Sequence, residues 1–431
     1  MTQQQLTSAI AAGRFDGIFT QLYGAHQIEK QRRRYINCIE EFCKIYDEKR
    51  DLKLFSVSGR SEISGNHTDH NHGKVLAASI DLDIIAVVAK NDNNIVHVKS
   101  SGFQMDTVDV NHLEKERYYK SALMIAGVCD GFKQFGYQAG GFDAYTTSNV
   151  FKASGLSSSA AFEDMIGTIE NTLYNDGAID KVEIAKIAQY AETEFYGKPC
   201  GLMDQVACIY GGFVAIDFKD PKNPVVEPLD FDISKAGYQL CIVNTGGNHS
   251  DLTDDYADIP NEMKAVAAYF GKSYLREVTL AEVKAALGSL REKTGDRAIM
   301  RAIHFLRENE RVDAQKQALK AGDMALFLQK VNESGDSCFK YFQDVYTNKN
   351  VHEQGLSLAL LLAEEALYGK PAACRVHGGG FAGTIQAFVK EQDAPAFKQA
   401  MEACFGEGSC VCLKIRPYGG LCVDEKITPA G

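Results

Sequence analysis

Three segments of the chain concentrate residue types that can do chemistry. Residues 58–73, SGRSEISGNHTDHNHG, set an arginine, an aspartate and three histidines among short polar residues and glycines. Polar side chains in such numbers are not expected in a core, and a purely solvated loop has no need of Gly59, Gly65 and Gly73 to bring its backbone close to something. Asp and His can pair with adjacent sugar hydroxyls as acceptor and donor. A surface turn, or a metal site from His67, His70 and His72, fits the same letters, and on this segment alone the surface turn is the better reading. Residues 153–161, ASGLSSSAA, open an amphipathic pattern. Unpaired N–H groups in a helix's first turn, added to its dipole, cradle an anion, and the hydroxyls there can bind phosphate or Mg²⁺. Serines also cap helices, but three in succession exceed what a cap requires, which favours phosphate. The segment is neither a Walker A loop, lacking Gly-Lys-Ser/Thr, nor a G-x-S-x-G hydrolase elbow. The third segment, GGGFAG at 378–383, lies between apolar runs. Its glycines either make a tight hairpin or let a strand edge approach a ligand's phosphates.

These segments need elements to hold them. Residues 28–48 carry apolar positions at helical spacing, after which β-rich runs begin at Lys53: LKLFSVSG, VLAASIDLDIIAVVAK and NIVHVKSSG, with turn residues between them. Helix is expected again over 112–135, then a strand at FDAYTTSNV, a helix opened by the serine loop, and another over 181–195 that ends before Gly197-Lys198-Pro199. GGFVAIDF closes this half, and the polar, proline-containing stretch 219–228 suggests a domain boundary, placed near residue 235. The second half runs from the strand LCIVNTG through several helices to the Gly-rich hairpin and a last strand, CVCLKIRPYGG, with no internal repeat.

Composition narrows the function. The chain's 431 residues suggest two or three domains, and 45% hydrophobic with 24% charged residues is a globular mix. With 46 Lys plus Arg against 57 Asp plus Glu the formal charge is −11, so nucleic-acid binding by phosphate neutralisation has no support. An anion such as ATP then needs a local device, which the serine loop supplies. The first residues lack a secretory pattern and no apolar stretch approaches the ~20 residues of a spanning helix, so neither a membrane partner nor export is expected. Twelve irregularly placed cysteines read as reduced thiols of a cytosolic protein. Cys404, Cys410, Cys412 and Cys422 form no CxxC pair, which argues against zinc.

In their order, a sugar-like loop, a GLSSSA phosphate loop and a late Gly-rich hairpin resemble the GHMP kinase superfamily, and within it the galactokinase family. That family opens with a G-R-x-N-L-I-G-E-H-T-D-Y-N-x-G-x-V-L-like signature, and GRSEISGNHTDHNHGKVL occupies the same slot. AETEFYGKPCGLMDQ, NTGGNHSDLTDDY, RENERV and VNES agree with further blocks, so the resemblance spans residues 53 to 415. It implies an α+β, two-domain GHMP kinase fold: a helical extension at 1–52, an N-terminal α/β domain of ribosomal protein S5 domain 2-like type at 53–235, and a ferredoxin-like α+β domain at 236–431. The implied activity is an ATP-dependent sugar-1-kinase making galactose 1-phosphate in the cytoplasm. A galacturonokinase, another sugar-1-kinase, or a non-catalytic regulator binding galactose and ATP are the alternatives. The oligomeric state is left open, a monomer being compatible.

By the same resemblance Asp204 faces the anomeric hydroxyl as a base or electrostatic stabiliser, and Arg60 keeps it ionised and steadies the transferring phosphoryl group. Otherwise Asp204 would read as a helix N-cap and Arg60 as half of a surface ion pair. Asn66, His67, Asp69, Gly201 and Tyr256 are the implied sugar contacts, Tyr256 reading otherwise as core. Gly155, Leu156, Ser157, Ser158, Ser159, Ala160, Gly379 and Gly380 are the implied ATP contacts. Ser159 and Glu192 are the implied Mg²⁺ ligands, Glu192 reading otherwise as an exposed helix carboxylate. The chain departs from the family pattern at Asn66, where the family has Glu, at Ser61–Ser64, where it has an apolar run, and at Ala153, where it has glycine. No new Arg or Lys appears in the loop to pair with a sugar carboxylate, although His70 or His72 could serve, and galactose is favoured over galacturonate. The adenine pocket has no motif here.

Overall fold

The structure, a computed structural model, describes residues 1–46, 49–150, 155–198, 200–247 and 252–427. Three helices, α1 (Gln3–Ala11), α2 (Asp16–Tyr23) and α3 (Ile28–Ile45), precede the strands β1 (Lys53–Ser64), β2 (Lys74–Lys90), β3 (Ile95–Ser100) and β4 (Met105–Asp109). After α4 (Lys120–Gln134) and β5 (Phe142–Ser148) come α5 (Ser158–Tyr174), α6 (Lys181–Tyr190) and α7 (Met203–Tyr210), then β6 (Phe213–Asp217) and β7 (Val225–Leu229). The strand β8 (Tyr238–Asn244) opens the second part. It is followed by α8 (Thr253–Tyr269), α9 (Leu280–Ala285), α10 (Leu287–Thr294), α11 (Asp296–Ala321), α12 (Met324–Ser337) and α13 (Gly355–Ala366). The hairpin β9 (Ala373–His377) and β10 (Thr384–Lys390), α14 (Ala394–Phe405), β11 (Cys410–Leu413) and β12 (Leu421–Cys422) complete the chain.

β2 is the spine of the first sheet, whose main order is β12-β1-β2-β5-β3-β4, with β6 and β7 added along the first half of β2. The unbroken apolar run in its second half, Ile84–Ala89, follows from having both faces covered. Ile84, Ala86 and Val88 point into a core shared with α4 to α7, while Ile85, Val87 and Ala89 point into a second core built with Phe19, Leu22, Ile39 and Phe42 of the N-terminal helices. Between these helices and the sheet, buried Asp83 accepts from Arg34 at 2.6 Å, Tyr23 at 2.6 Å, Ser56 at 2.5 Å and Arg416 at 3.0 Å. That one carboxylate ties together the extension, the sheet and the end of the chain. The second sheet has the order β11-β8-β10-β9, all antiparallel. Counted from β8 this is 4-1-3-2 with helices in the first and third connections, the ferredoxin-like arrangement.

Three local expectations are corrected. Helix begins at Lys120, not residue 112, because the Tyr118 hydroxyl donates to the His112 carbonyl at 2.6 Å and accepts from the Asp109 N–H at 3.1 Å, closing 109–118 into a loop. The stretch 219–228, where the sequence suggests a domain boundary, still belongs to the first sheet. It leads into β7, an outer strand paired only with β6, where Pro228 is tolerated. The polar segment from Ser58 is not a loop either, since β1 runs on through Ser64. At the C-terminus the cysteines separate: Cys412 lies across from Cys241, their sulfurs 3.2 Å apart, while Cys422 joins the first sheet beside β1.

Candidate active site

The pairing of β1 with β2 slips between Ser58 and Arg60. A Cβ on Gly59 at that bulge would meet the Leu156 carbonyl at 2.9 Å, and the next N–H, of Arg60, donates to this carbonyl at 3.1 Å. Glycine at 59 therefore lets the serine loop lie directly on β1. Ser157, at φ 57°, begins α5 without capping it. Its hydroxyl turns instead to Asp204 and donates to Oδ2 at 2.5 Å. Asp204 stands in the first turn of α7, whose end is held by Ser58 and Ser79, donating to the Cys208 and Ala207 carbonyls at 2.9 and 2.6 Å. Arg60 completes the junction, Nε and Nη2 lying 2.9 and 2.8 Å from Asp204 Oδ1, with Nη1 donating to the Gly155 carbonyl. The arginine side chain is 8% exposed and the aspartate 34%. A carboxylate is thus gripped on both oxygens while one side stays open beside a helix N-terminus.

The histidine loop supplies the adjoining wall. His67, at φ 57°, donates from Nε2 to the Gly379 carbonyl at 2.8 Å, a partner that can only accept, so Nδ1 is left as an acceptor. Burial pushes this imidazole down to about 4, and it stays neutral at physiological pH. Asp69 lies so near Gly201 that a Cβ there would sit 2.2 Å from Oδ2, which explains glycine at 201. Tyr256 donates to the Gly380 carbonyl at 2.8 Å and meets Phe381 edge-on. Gly379 and Gly380 therefore adjoin the histidine loop, while Gly155 of the serine loop lies nearer His377 and Thr384 at the ends of the same hairpin.

Asn66 departs from expectation. It is 1% exposed, and its amide is spent inward, Nδ2 donating to Asp344 Oδ2 at 2.7 Å and Oδ1 accepting from Arg375 Nη2. No surface of Asn66 is offered to a ligand. A cation does reach this wall from outside the loop, Arg375, which arrives from β9. The short polar residues of the segment are core after all: Ser61 bonds His377 and Gln386, Ser64 accepts from Gln315, and Asn71 accepts from the Leu275 N–H. Their partners lie 200 residues or more along the chain, so no local pattern announces them.

Glu192, in the wide helical turn Ala191–Phe195, is buried and bonded to Lys198 at 2.7 Å. The Gln205 amide donates at 3.2 Å to both Glu192 Oε2 and Glu163 Oε2. Glu163 stands one turn beyond Ser159 on α5, so the two share a face, and its Oε1 is buried without a partner. Two carboxylates held by one amide push the Glu163 acid up to about 8, by burial first and then by Glu192. The Ser159 hydroxyl and these two carboxyl groups offer the oxygen ligands that a hard divalent cation takes. Glu163, Gln205 and Lys198 were missed by sequence reasoning, although Gln205 ends the GLMDQ block. Among the described residues no group of three His, Cys, Asp or Glu is placed to hold a metal by itself, and no helix is long and apolar enough to cross a membrane. Ala153 and Ser154 lie outside the described residues.

Comparison with known proteins agrees with this layout. Residues 122–212 match the GHMP kinases N terminal domain, and residues 40–90 match the galactokinase galactose-binding signature. A galactokinase of Actinobacillus pleuropneumoniae serotype 3 is 31% identical over 342 residues, 78% of this chain and 84% of that protein. One from Clostridium tetani is 28% identical over 365 residues, covering 84% and 89%. In fold, the chain resembles the Lactococcus lactis galactokinase solved with galactose, with a TM-score of 0.74, 23% identity and coverage of 89% and 98%. It also resembles a mevalonate kinase, with a TM-score of 0.59, 13% identity and coverage of 84% and 98%.

Proposed function

Since the chain belongs to the galactokinase family of the GHMP kinases, we propose that it transfers the γ-phosphoryl group of ATP to the anomeric hydroxyl of galactose, giving galactose 1-phosphate and ADP. The observation that carries this reading is Asp204, gripped by Arg60 and Ser157 at the start of α5. In this mechanism the anomeric oxygen attacks the γ-phosphorus as the bond to the β-phosphate oxygen breaks. Asp204 takes the hydroxyl proton, Arg60 holds the carboxylate in place and faces the developing phosphoryl charge, and the first turn of α5 cradles the phosphates. His67, Asp69, Gly201 and Tyr256 orient the sugar, with His67 Nδ1 accepting from a hydroxyl. Ser159 and Glu192 would hold Mg²⁺, with Glu163 behind them, and a bound ion would neutralise phosphate charge. We place the enzyme in the cytoplasm, acting on small molecules without a nucleic-acid or membrane partner.

A coupled ADP-release assay over galactose, galacturonate, glucose and mevalonate, with ³¹P NMR of the product, tests the reading. Galactose should give the highest kcat/KM and an anomeric phosphate. ATP and galactose binding without turnover would overturn it in favour of a regulator.

A further inference from the structure

We propose that Glu62 is a sugar-binding residue, its carboxyl group hydrogen-bonding a galactose hydroxyl in the cleft lined by Arg60, Asp204 and Asp69. The proposal rests on the galactose-kinase reading above. Register through this part of β1 is regular, with Arg60, Ser61 and Glu62 opposite Ser79, Ala78 and Ala77. Arg60 and Glu62 therefore project from one face and Ser61 from the other. Ser61 meets His377 and Gln386 of the second sheet at 3.1 and 3.2 Å, whereas Arg60 turns to Asp204. Glu62 follows Arg60, and the charges acting on it are Arg60, Asp69 and Asp204 of the site and Arg375 of the wall beside it.

Glu62 is 6% exposed, yet among the described residues its carboxyl group has no hydrogen-bond partner, only its backbone carbonyl being taken by Gln386. Two other buried glutamates, Glu308 and Glu192, are served. Glu308 accepts from Arg311, Ser334 and the Gly65 N–H, and Glu192 from Lys198 and Gln205. A buried carboxyl group left unserved at the edge of a ligand cleft is one kept for the ligand. The neighbouring motif explains why this chain needs it. In the signature that the chain resembles, an amide stands at the position of Glu62 and a carboxylate at that of Asn66. Here acid and amide have changed places, and Asn66 has turned inward to Asp344 and Arg375.

The test is a cycle of enzyme variant against substrate analogue, measuring kcat and KM of wild type, Glu62→Ala and Glu62→Gln on galactose and its 2-, 3-, 4- and 6-deoxy forms. A direct contact predicts that the wild type discriminates against one deoxy sugar by about tenfold or more in kcat/KM, and that Glu62→Ala erases the penalty for that sugar alone, with KM for ATP unchanged. If every deoxy penalty persists in both variants, Glu62 does not touch the sugar and the proposal falls. Should Glu62→Ala fail to fold, the near-isosteric Gln variant carries the same cycle, the contacted hydroxyl again showing the altered penalty. A wild type inactive on galactose would remove the underlying reading, and the proposal with it. A wild type active on galactose but without coupling removes the proposal alone.

Discussion

The two ends of the cleft are built on opposite principles. At Asp204 the polar groups are matched and then left partly open: both carboxylate oxygens are held, and the side chain is still 34% exposed. At Asn66 they are sealed, arginine to amide to buried acid, with 1% exposure, and among the described residues Arg375 Nε and Asp344 Oδ1 are buried without a partner. Chemistry needs a group that is fixed but reachable, whereas shaping a wall needs only that the group be fixed. The difference predicts that substitutions at the open end reduce turnover and leave the fold intact, and that those at the sealed end do the reverse.

The largest expected effect is at the open end. Asp204→Asn keeps the shape and the hydrogen bond from Ser157 but removes the proton acceptor, so kcat should fall about a thousandfold or more, with ATP affinity within a few fold. Steady-state kinetics with nucleotide titration measure both. A rate near wild type would end the functional asymmetry between the two ends.

At the sealed end Arg375→Ala should chiefly destabilise. Arg375 is buried among Asn66, Asp344, Glu62 and Glu308, and its removal leaves buried acid uncompensated, at a cost of about 3–5 kcal/mol. Thermal denaturation should show the loss, and whatever enzyme remains folded should keep a kcat within a few fold.

These two ends also differ in how far the sequence discloses them. Arg60, Ser157 and Asp204 lie in contiguous motifs, and each motif is one structural unit: a bulge, a helix start, a first helical turn. Ser157 belongs to the serine loop that local chemistry picks out, whereas Arg60 and Asp204 take their roles from the family resemblance, and the three adjoin in space. Asn66 is set by Asp344 and Arg375, 278 and 309 residues away, and neither sits in a motif that announces a partner. Polar letters there were read as solvent-facing because their hydrogen bonds cross between distant parts of the chain. β2 shows the same limit in the fold: its strand character was evident, but only the helices of the N-terminal extension explain why both of its faces are apolar.

A smaller effect sharpens the open end. Ser159→Ala removes one candidate oxygen from a site that also has Glu192 and Glu163, so the Mg²⁺ needed for half-maximal rate should rise about tenfold, and excess Mg²⁺ should restore most of kcat. Activity against Mg²⁺ at fixed ATP measures it, and a loss of galactose affinity alone would move Ser159 out of the phosphate side.

The smallest effect on activity should come from Asn66→Glu, which restores the residue of the family signature. Because position 66 turns inward, the ratio of kcat/KM for galactose to that for galacturonate should stay within about threefold of wild type, as expected for a side chain that does not touch the substrate. A tenfold change would bring residue 66 out of the wall and into the sugar site. The change should instead appear in stability, and with a sign set by Asp344. Burial already pushes that acid up to about 7, against the lowering influence of Arg375. A raised acid favours folding while protonated, and that contribution is lost as pH rises through about 7. A second carboxyl group within hydrogen-bond reach of Asp344 makes the two share a proton and lifts the value further. The variant should therefore lie close to wild type in Tm at pH 6 and fall increasingly below it by pH 8. A deficit that is the same at both pH values would show that the new carboxylate pairs with Arg375 alone and that Asp344 takes no part in the wall.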